Sequence, residues 1–241
     1  MINYKEKLTL DREINPLLNI DISIESDRGR IFSSAAFRRL QKRTQVFALE
    51  LNASIRSRLT HSLEVAQNAR YIARTILQKL KKDGLETYGL EDIENAFIST
   101  AEMTSLLHDI GNPPFGHFGE DTIRSWFNEK LDEITIENPV TNNMQKLSEI
   151  LTPQMCEDFK NFEGNAQAIR LVSKLHFLID ENGMNLTYAL LNTLIKYPGS
   201  SLEINKKSGD IKDKKISVLV LCANGATSGM LANAIAEGAK Q

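Results

Sequence analysis

Between Ser57 and about Leu80, the residues Leu59, Leu63, Ala66, Ala69, Ile72, Ala73, Ile76, Leu77 and Leu80 recur every three or four positions, with polar residues between them. That is the period of an amphipathic helix with one buried face. Gly84 follows its end. A second helix is expected to begin near Asp92 as its N-cap and to carry Ile93, Ala96, Phe97, Ala101 and Leu107, with His108 and Asp109 as its last residues. Gly111 and the Pro113-Pro114 pair then stop it. Gly119, Glu120 and Asp121 open a third helix carrying Ile123, Trp126, Phe127 and Leu131, the two carboxylates falling in a first turn where the helix dipole favours them. Further helices are expected from Asn165 to Ile179, closed by Gly183, and from Thr187 to Lys196, closed by Pro198 and Gly199. To this point the pattern is all-α, a helical bundle.

Beyond Gly199 the pattern changes. Ser, Lys, Asp and Gly dominate, and Leu202 to Ile211 reads as a small hairpin or as a linker. The run Ile216 to Leu221 is β-branched and apolar, Cys222 to Gly229 is a loop of small residues, and Met230 to Ala239 is helical in pattern, so the chain ends in a short βα unit. A single strand leaves its edges unpaired and needs a sheet that the upstream sequence does not provide. The domains expected are 1–200, 201–215 and 216–241.

Bulk properties narrow the function classes. Of the 241 residues, 41% are hydrophobic and 25% charged, the balance of a globular protein rather than a disordered chain. Lys and Arg number 29 against 31 Asp and Glu, so there is no global basic field for nucleic acid and any anion site must be local. Cys156 and Cys222 are far apart and imply no disulfide framework. No apolar run approaches the roughly 20 residues of a membrane-spanning helix, and the expected location is cytoplasmic.

Chemistry concentrates on three helices. The chain has four histidines, and three of them, His61, His108 and His117, fall between the first and third helix, with His176 apart. An imidazole on one helix and an adjacent His-Asp pair at the end of the next form an N,O donor set suited to a hard or borderline divalent cation such as Mn²⁺, Mg²⁺, Fe²⁺ or Co²⁺. The absence of a cysteine cluster argues against structural zinc. Such an ion polarises a phosphoryl oxygen and lowers the pKa of bound water, which is what phosphate-ester hydrolysis requires. His117 and Glu120 sit just past the Pro-containing loop, near a helix N-terminus that attracts anions. The bland alternative is a set of unrelated helix-face histidines.

The ordered motifs Arg58-Leu59-Thr60-His61-Ser62, His108-Asp109-Ile110-Gly111-Asn112-Pro113-Pro114-Phe115-Gly116-His117 and Phe162-Glu163-Gly164-Asn165-Ala166-Gln167 resemble the bacterial deoxyguanosine triphosphate triphosphohydrolases of the HD superfamily. Phe37-Arg38-Arg39-Leu40, Thr44-Gln45-Val46, Asn185-Leu186-Thr187 and Lys196-Tyr197-Pro198 extend the resemblance from about residue 25 to 200. It implies an HD-type helical bundle that cleaves dGTP, or another deoxynucleoside triphosphate, at the α-phosphorus to give the nucleoside and tripolyphosphate. It implies a divalent metal (Mn²⁺, Mg²⁺ or Co²⁺) held by His61, His108 and Asp109, with His117 as catalytic histidine and Glu120 as its supporting carboxylate. Gln45 is implied to read the deoxyribose, and Arg58, Lys196 and Tyr197 to meet the phosphates. For Arg56, Arg58 and Lys196 the competing reading is a solvated helix face. As partners it implies the nucleotide, a homo-oligomer and a single-stranded DNA effector, with no membrane.

The family pattern also includes a further Asp ligand after the Lys-Tyr-Pro segment, and none stands in that context here; Asp180, Asp210 and Asp213 are the downstream aspartates. Three protein ligands remain, as expected of a chain lacking the family's C-terminal half. The segment Val218 to Ala232 resembles the start of a lactose/cellobiose-type phosphotransferase enzyme IIB, which implies Cys222 as a phosphocysteine. A thiolate between a strand and a helix N-terminus has a lowered pKa and an anion cradle. The two resemblances meet near Lys215-Ile216, the arrangement of a truncated HD chain joined to an unrelated fragment. Two further functions therefore stand beside hydrolysis: a nucleotide- or metal-binding module without turnover, and a sugar phosphotransferase phosphocarrier acting through Cys222.

Overall fold

The computed structural model describes the chain except residues 1, 15, 18, 45–54, 83, 139, 177–182, 197–198 and 203–241. The expected hairpin or linker beyond Leu202 and the βα unit over 216–241, with Cys222, lie outside the described residues, as do Asp180, Asp210 and Asp213. The described chain divides into two units, one of Met1–Gly111 with Asn165–Lys196, the other of Asn112–Gly164 with residues 199–202.

The first unit is helical. Its elements are α1 (Tyr4–Lys7), α2 (Ile20–Ser33), α3 (Ala35–Arg39), α4 (Arg58–Leu80) and α5 (Glu94–Leu107). The chain returns to it through α9 (Gly164–Arg170), which continues into a π-helical turn at Leu171–Leu175, and ends it with α10 (Tyr188–Thr193). Ser57 caps α4 by accepting from the Thr60 N–H. The buried face of α4 runs through Arg58, Ser62, Val65, Ala66, Ala69, Ile72, Ala73, Ile76 and Leu77. That is the face read from the sequence, except that Leu63 is exposed while Ser62 and Val65 are inside.

α5 is different in kind. Ten of its fourteen residues are buried, from Ala96 to Leu107, the small polar Ser99, Thr100 and Ser105 among them. It packs against α4 most extensively, and also against α2 and α10. The alanines Ala66, Ala69 and Ala73 of α4 and Ala96 and Ala101 of α5 are all buried. Small side chains let two helix backbones approach closely, and a filled interface of this kind tolerates little change in volume.

Two polar ties lock helices onto this pair. Glu102 of α5 accepts from both terminal nitrogens of Arg28 in α2, at 3.0 and 3.1 Å, and from Arg70 of α4 at 2.7 Å. One carboxylate thus joins three helices. Arg12, buried, donates to the Ser23 carbonyl and hydroxyl and to the Asn185 carbonyl, and lies 3.3 Å from Asp27. Asp27 in turn accepts from the Thr187 N–H and hydroxyl, which fixes the N-cap of α10 against α2.

The second unit contains α6 (Gly116–Lys130), α7 (Leu147–Ile150) and α8 (Pro153–Lys160), with a two-stranded antiparallel hairpin of β1 (Thr135–Glu137) and β2 (Met144–Lys146) that pairs Ile136 with Gln145. α6 lies on α8 through Phe127 and Phe159, whose rings are 4.7 Å apart, while Leu131 is fully buried. Among the described residues no helix is long and apolar enough to cross a membrane.

Several boundaries depart from the sequence expectation: the helix expected over Asn165–Ile179 stops at Leu175, where His176 is extended, and α5 ends at Leu107, just before His108 and Asp109. α5 begins at Glu94 rather than at an Asp92 cap: Asp92 takes φ +66° and Ile93 holds the cap position without a side-chain bond. Asp tolerates the left-handed region, so it turns the chain there instead of capping it. α6 begins at Gly116, three residues before the expected start, so Glu120 and Asp121 are not in the first turn and no acidic residue is. α10 stops at Thr193, short of Lys196.

Burial raises the pKa of Glu102, but the hydrogen bonds and charges of Arg28 and Arg70 outweigh it and hold the carboxyl below its ordinary value. A depressed folded-state pKa contributes stability above the unfolded value, and that contribution is lost as pH falls through the folded value. Glu102→Gln is expected to lose about 1.5–3 kcal/mol near neutral pH. The gap to wild type should narrow as pH drops below about 4. Thermal or urea unfolding across that range checks it; a gap independent of pH means that the charge of Glu102 is not what holds the three helices.

Candidate metal centre and histidine–carboxylate pair

His61 stands on the first turn of α4, one turn after Arg58, and His108 and Asp109 follow the last residue of α5. The close packing of these helices brings the three side chains together. His61, His108 and Asp109 offer one ligand atom each, all within 4.8 Å of one another. The imidazole rings of His61 and His108 meet edge to face with centroids 5.3 Å apart. Nδ1 of His108 lies 2.7 Å from the Ser105 carbonyl. A carbonyl only accepts, so Nδ1 carries the hydrogen and Nε2 keeps its lone pair, the usual way a backbone group orients a metal-ligating histidine. Nε2 of His108 is 3.4 Å from Asp109 Oδ1.

The electrostatics favour a neutral donor at His61. Burial, and next the charge of His108, lower its pKa against the opposing pull of Asp109 and Glu64. A ligating imidazole must be unprotonated, so this environment suits cation binding. Two imidazole nitrogens and one carboxylate, with a second-sphere carbonyl already in place, fit a divalent transition metal. Arg58 completes the cluster: its Nη1 donates to Asp109 Oδ2 at 2.6 Å, and the side chains are only 8% and 13% exposed. The solvated-face reading of Arg58 is therefore overturned, because it faces inward onto a carboxylate. Arg56 is exposed and pairs with Glu64.

The second unit holds the other candidate group. Its loop turns on Phe115 and Gly116, both with left-handed φ, +65° and +57°. A Cβ at Gly119 would collide with the Pro114 carbonyl, so the helix can lie against its own loop only with glycine there. His117, on the first turn of α6 and 86% exposed, has Nδ1 2.8 Å from Oε2 of Glu120, whose side chain is 2% exposed. The other oxygen of Glu120 accepts from the Gly164 N–H at 2.8 Å. Arg124 reaches to 3.8 Å of Glu120 and donates through Nε to the Phe162 carbonyl.

These contacts give the Phe162-Glu163-Gly164 motif a role that the sequence reading did not assign. Gly164 supplies the N–H that holds Glu120, and an added Cβ would press on Glu120 Oε1 and Asn112 Oδ1. The only sequence signal was a glycine at the start of a helical pattern, where no cap was needed. Lys196 is exposed, three residues beyond α10. Gln45, Tyr197 and Cys222 lie outside the described residues.

Comparison with known proteins agrees with this geometry. The HD domain family matches residues 58–206. A deoxyguanosinetriphosphate triphosphohydrolase-like protein of Listeria monocytogenes is 49% identical over 200 residues, 82% of this chain and 41% of the relative. The proteins named deoxyguanosinetriphosphate triphosphohydrolase in Serratia proteamaculans and Yersinia enterocolitica are 45% and 46% identical over 215 residues, 81% of this chain and 41% of theirs. The chain thus spans about two fifths of the length of these curated relatives.

Gly164→Ala is expected to cost about 1–3 kcal/mol of stability, the usual penalty for forcing a methyl group into a filled site. Chemical denaturation with the variant and wild type side by side measures it. A variant as stable as wild type would mean that the site has room for a methyl group beside Glu120 and Asn112.

Proposed function

The chain belongs to the HD-domain family, and we propose that it is a metal-dependent phosphohydrolase whose substrate is dGTP, cleaved to deoxyguanosine and tripolyphosphate. The observation that carries this reading is the convergence of His61, His108 and Asp109 within 4.8 Å. The names of the relatives supply the substrate.

A divalent ion held by these three residues supplies Lewis acidity toward a phosphoryl oxygen and a water of lowered pKa. The rest is the work of the chain. In the overall reaction the oxygen of water bonds to the α-phosphorus, the bond from that phosphorus to the 5′ oxygen breaks, and the nucleoside leaves with its 5′ oxygen protonated. His117 is assigned the proton transfer. Its Nδ1 is engaged by Glu120, which fixes the ring and leaves Nε2 to hold or release a proton. Glu120, buried and acceptor to a backbone N–H, is a positioning residue that stabilises the imidazolium when it forms.

A second reading, binding without turnover, is favoured by one observation: among the described residues the cluster brings together three ligand groups, two imidazoles and one carboxylate. It predicts nucleotide and metal binding with no product.

Incubation of the purified chain with dGTP and Mn²⁺ separates these readings. Hydrolysis predicts tripolyphosphate and deoxyguanosine in equal amounts, lost on chelation. It also predicts a rate reduced on the order of a hundredfold or more in His117→Ala, as removal of an acid–base group does. Orthophosphate or pyrophosphate as the product overturns cleavage of the bond between the α-phosphorus and the 5′ oxygen. Saturable nucleotide binding with no product establishes the second reading.

A further inference from the structure

Resting on the metal site proposed above, we infer that Arg58 competes with the cation for Asp109, so that the free protein holds the metal weakly and a bound phosphate group tightens it. The contact is short and sheltered. Arg58 Nη1 lies 2.6 Å from Asp109 Oδ2, with both side chains largely buried, where counter-ions screen little. Arg58 and His61 are three residues apart on α4 and project from neighbouring positions of one helix face. The permanent cation and the first metal ligand are thus built on the same helical turn.

A second arginine is tied to the start of α4 through its backbone. The Arg58 N–H donates to the Arg43 carbonyl at 2.8 Å, and Thr44 and Ser57 form a β-bridge, so the backbone at Arg43 is stitched to the start of α4. Burial, and then the charges of Arg39 and Arg58, lower the pKa of Arg43, as close like charges do. The carboxylate that a divalent ion needs is therefore already paired with a fixed positive charge. A cation entering among His61, His108 and Asp109 meets that repulsion and finds Oδ2 occupied.

A phosphate oxygen relieves the repulsion. The contact with Asp109 uses one guanidinium nitrogen, whereas a guanidinium carries five N–H donors in a planar fork that matches phosphate. An anion accepted on the rest of the fork neutralises the charge facing the metal. Because linkage is reciprocal, the metal then strengthens anion binding by the same factor. The ligand class is a phosphate group, free or as the arm of a nucleotide.

The test is Mn²⁺ binding to the full chain, followed through the electron paramagnetic resonance signal of the free ion. Wild type, Arg58→Gln, Arg58→Lys and His61→Ala are compared with and without inorganic phosphate, and protein-free controls correct for manganese phosphate. Without phosphate, Arg58→Gln is expected to bind Mn²⁺ on the order of tenfold tighter than wild type. Arg58→Lys, which keeps the charge, should stay close to wild type. Phosphate should tighten the wild type and leave Arg58→Gln unchanged. Arg58→Met, which retains an apolar stem, takes the place of the glutamine variant if circular dichroism shows that variant unfolded. A neutral variant that binds Mn²⁺ equally or more weakly overturns the inference and makes Arg58 an orienting group for Asp109. Equal tightening by phosphate in wild type and the neutral variant overturns it too. If neither wild type nor the neutral variant binds more Mn²⁺ than His61→Ala, the metal site of the proposed function fails, and this inference with it.

Discussion

The packing of α4 against α5 is the constraint on which the first unit depends. α5 is buried on nearly every side, so its position is set by neighbours all round rather than by one interface. α4 packs on it with Ala66, Ala69 and Ala73 on its buried face. His61 comes from the start of one helix and His108-Asp109 from the end of the other. A shift of α4 along α5 by one residue, about 1.5 Å of rise, would be enough to spoil a ligand set whose atoms lie within 4.8 Å. The tie from Glu102 to Arg28 and Arg70 opposes such sliding, because a carboxylate bonded to two helices at once cannot follow both if they move apart.

The site is electrostatically mixed rather than simply acidic. A cation site is usually thought of as a nest of negative groups, yet here the one carboxylate of the cluster is already paired with an arginine, and the two imidazoles carry no formal charge when they act as donors. What makes the cluster suited to a metal is donor geometry, not field. His108 illustrates the point. Its ring is set by a carbonyl of its own helix three residues back, so the last turn of α5 acts as both scaffold and second sphere.

Much of this was legible in the sequence, for identifiable reasons. α4 is long and has one buried face, so its periodicity is strong and its Ser57 cap stands where a cap belongs. The error at Leu63 is one of degree, since the first turns of the helix bury Ser62 and Val65 instead. The starts of α5 and α6 were misplaced because both depend on left-handed residues, Asp92, Phe115 and Gly116, whose backbone geometry has no hydrophobic period. α2 carries no strong apolar face; its buried stripe includes Ser23 and Asp27, which belong inside only because Arg12 and Thr187 satisfy them. The β1–β2 hairpin is three residues a strand and exposed at every position but Gln145, too short to show alternation. In the candidate site, residue types and order pointed to His61, His108, Asp109, His117 and Glu120. Arg58 as an inward ion-pair partner did not show, because an arginine's choice between solvent, anion and carboxylate is decided by tertiary packing.

The hold on Glu120 has a consequence for how this protein can vary. The group that fixes the carboxylate is a main-chain amide, present for every residue but proline that could follow Glu163, so no loss of a side-chain group in that loop can set it free. What the loop can lose is room. Selection at position 164 therefore acts on volume and against proline, and a search for a charged or polar counterpart that changes in step with Glu120 would find nothing at the residue on which it leans.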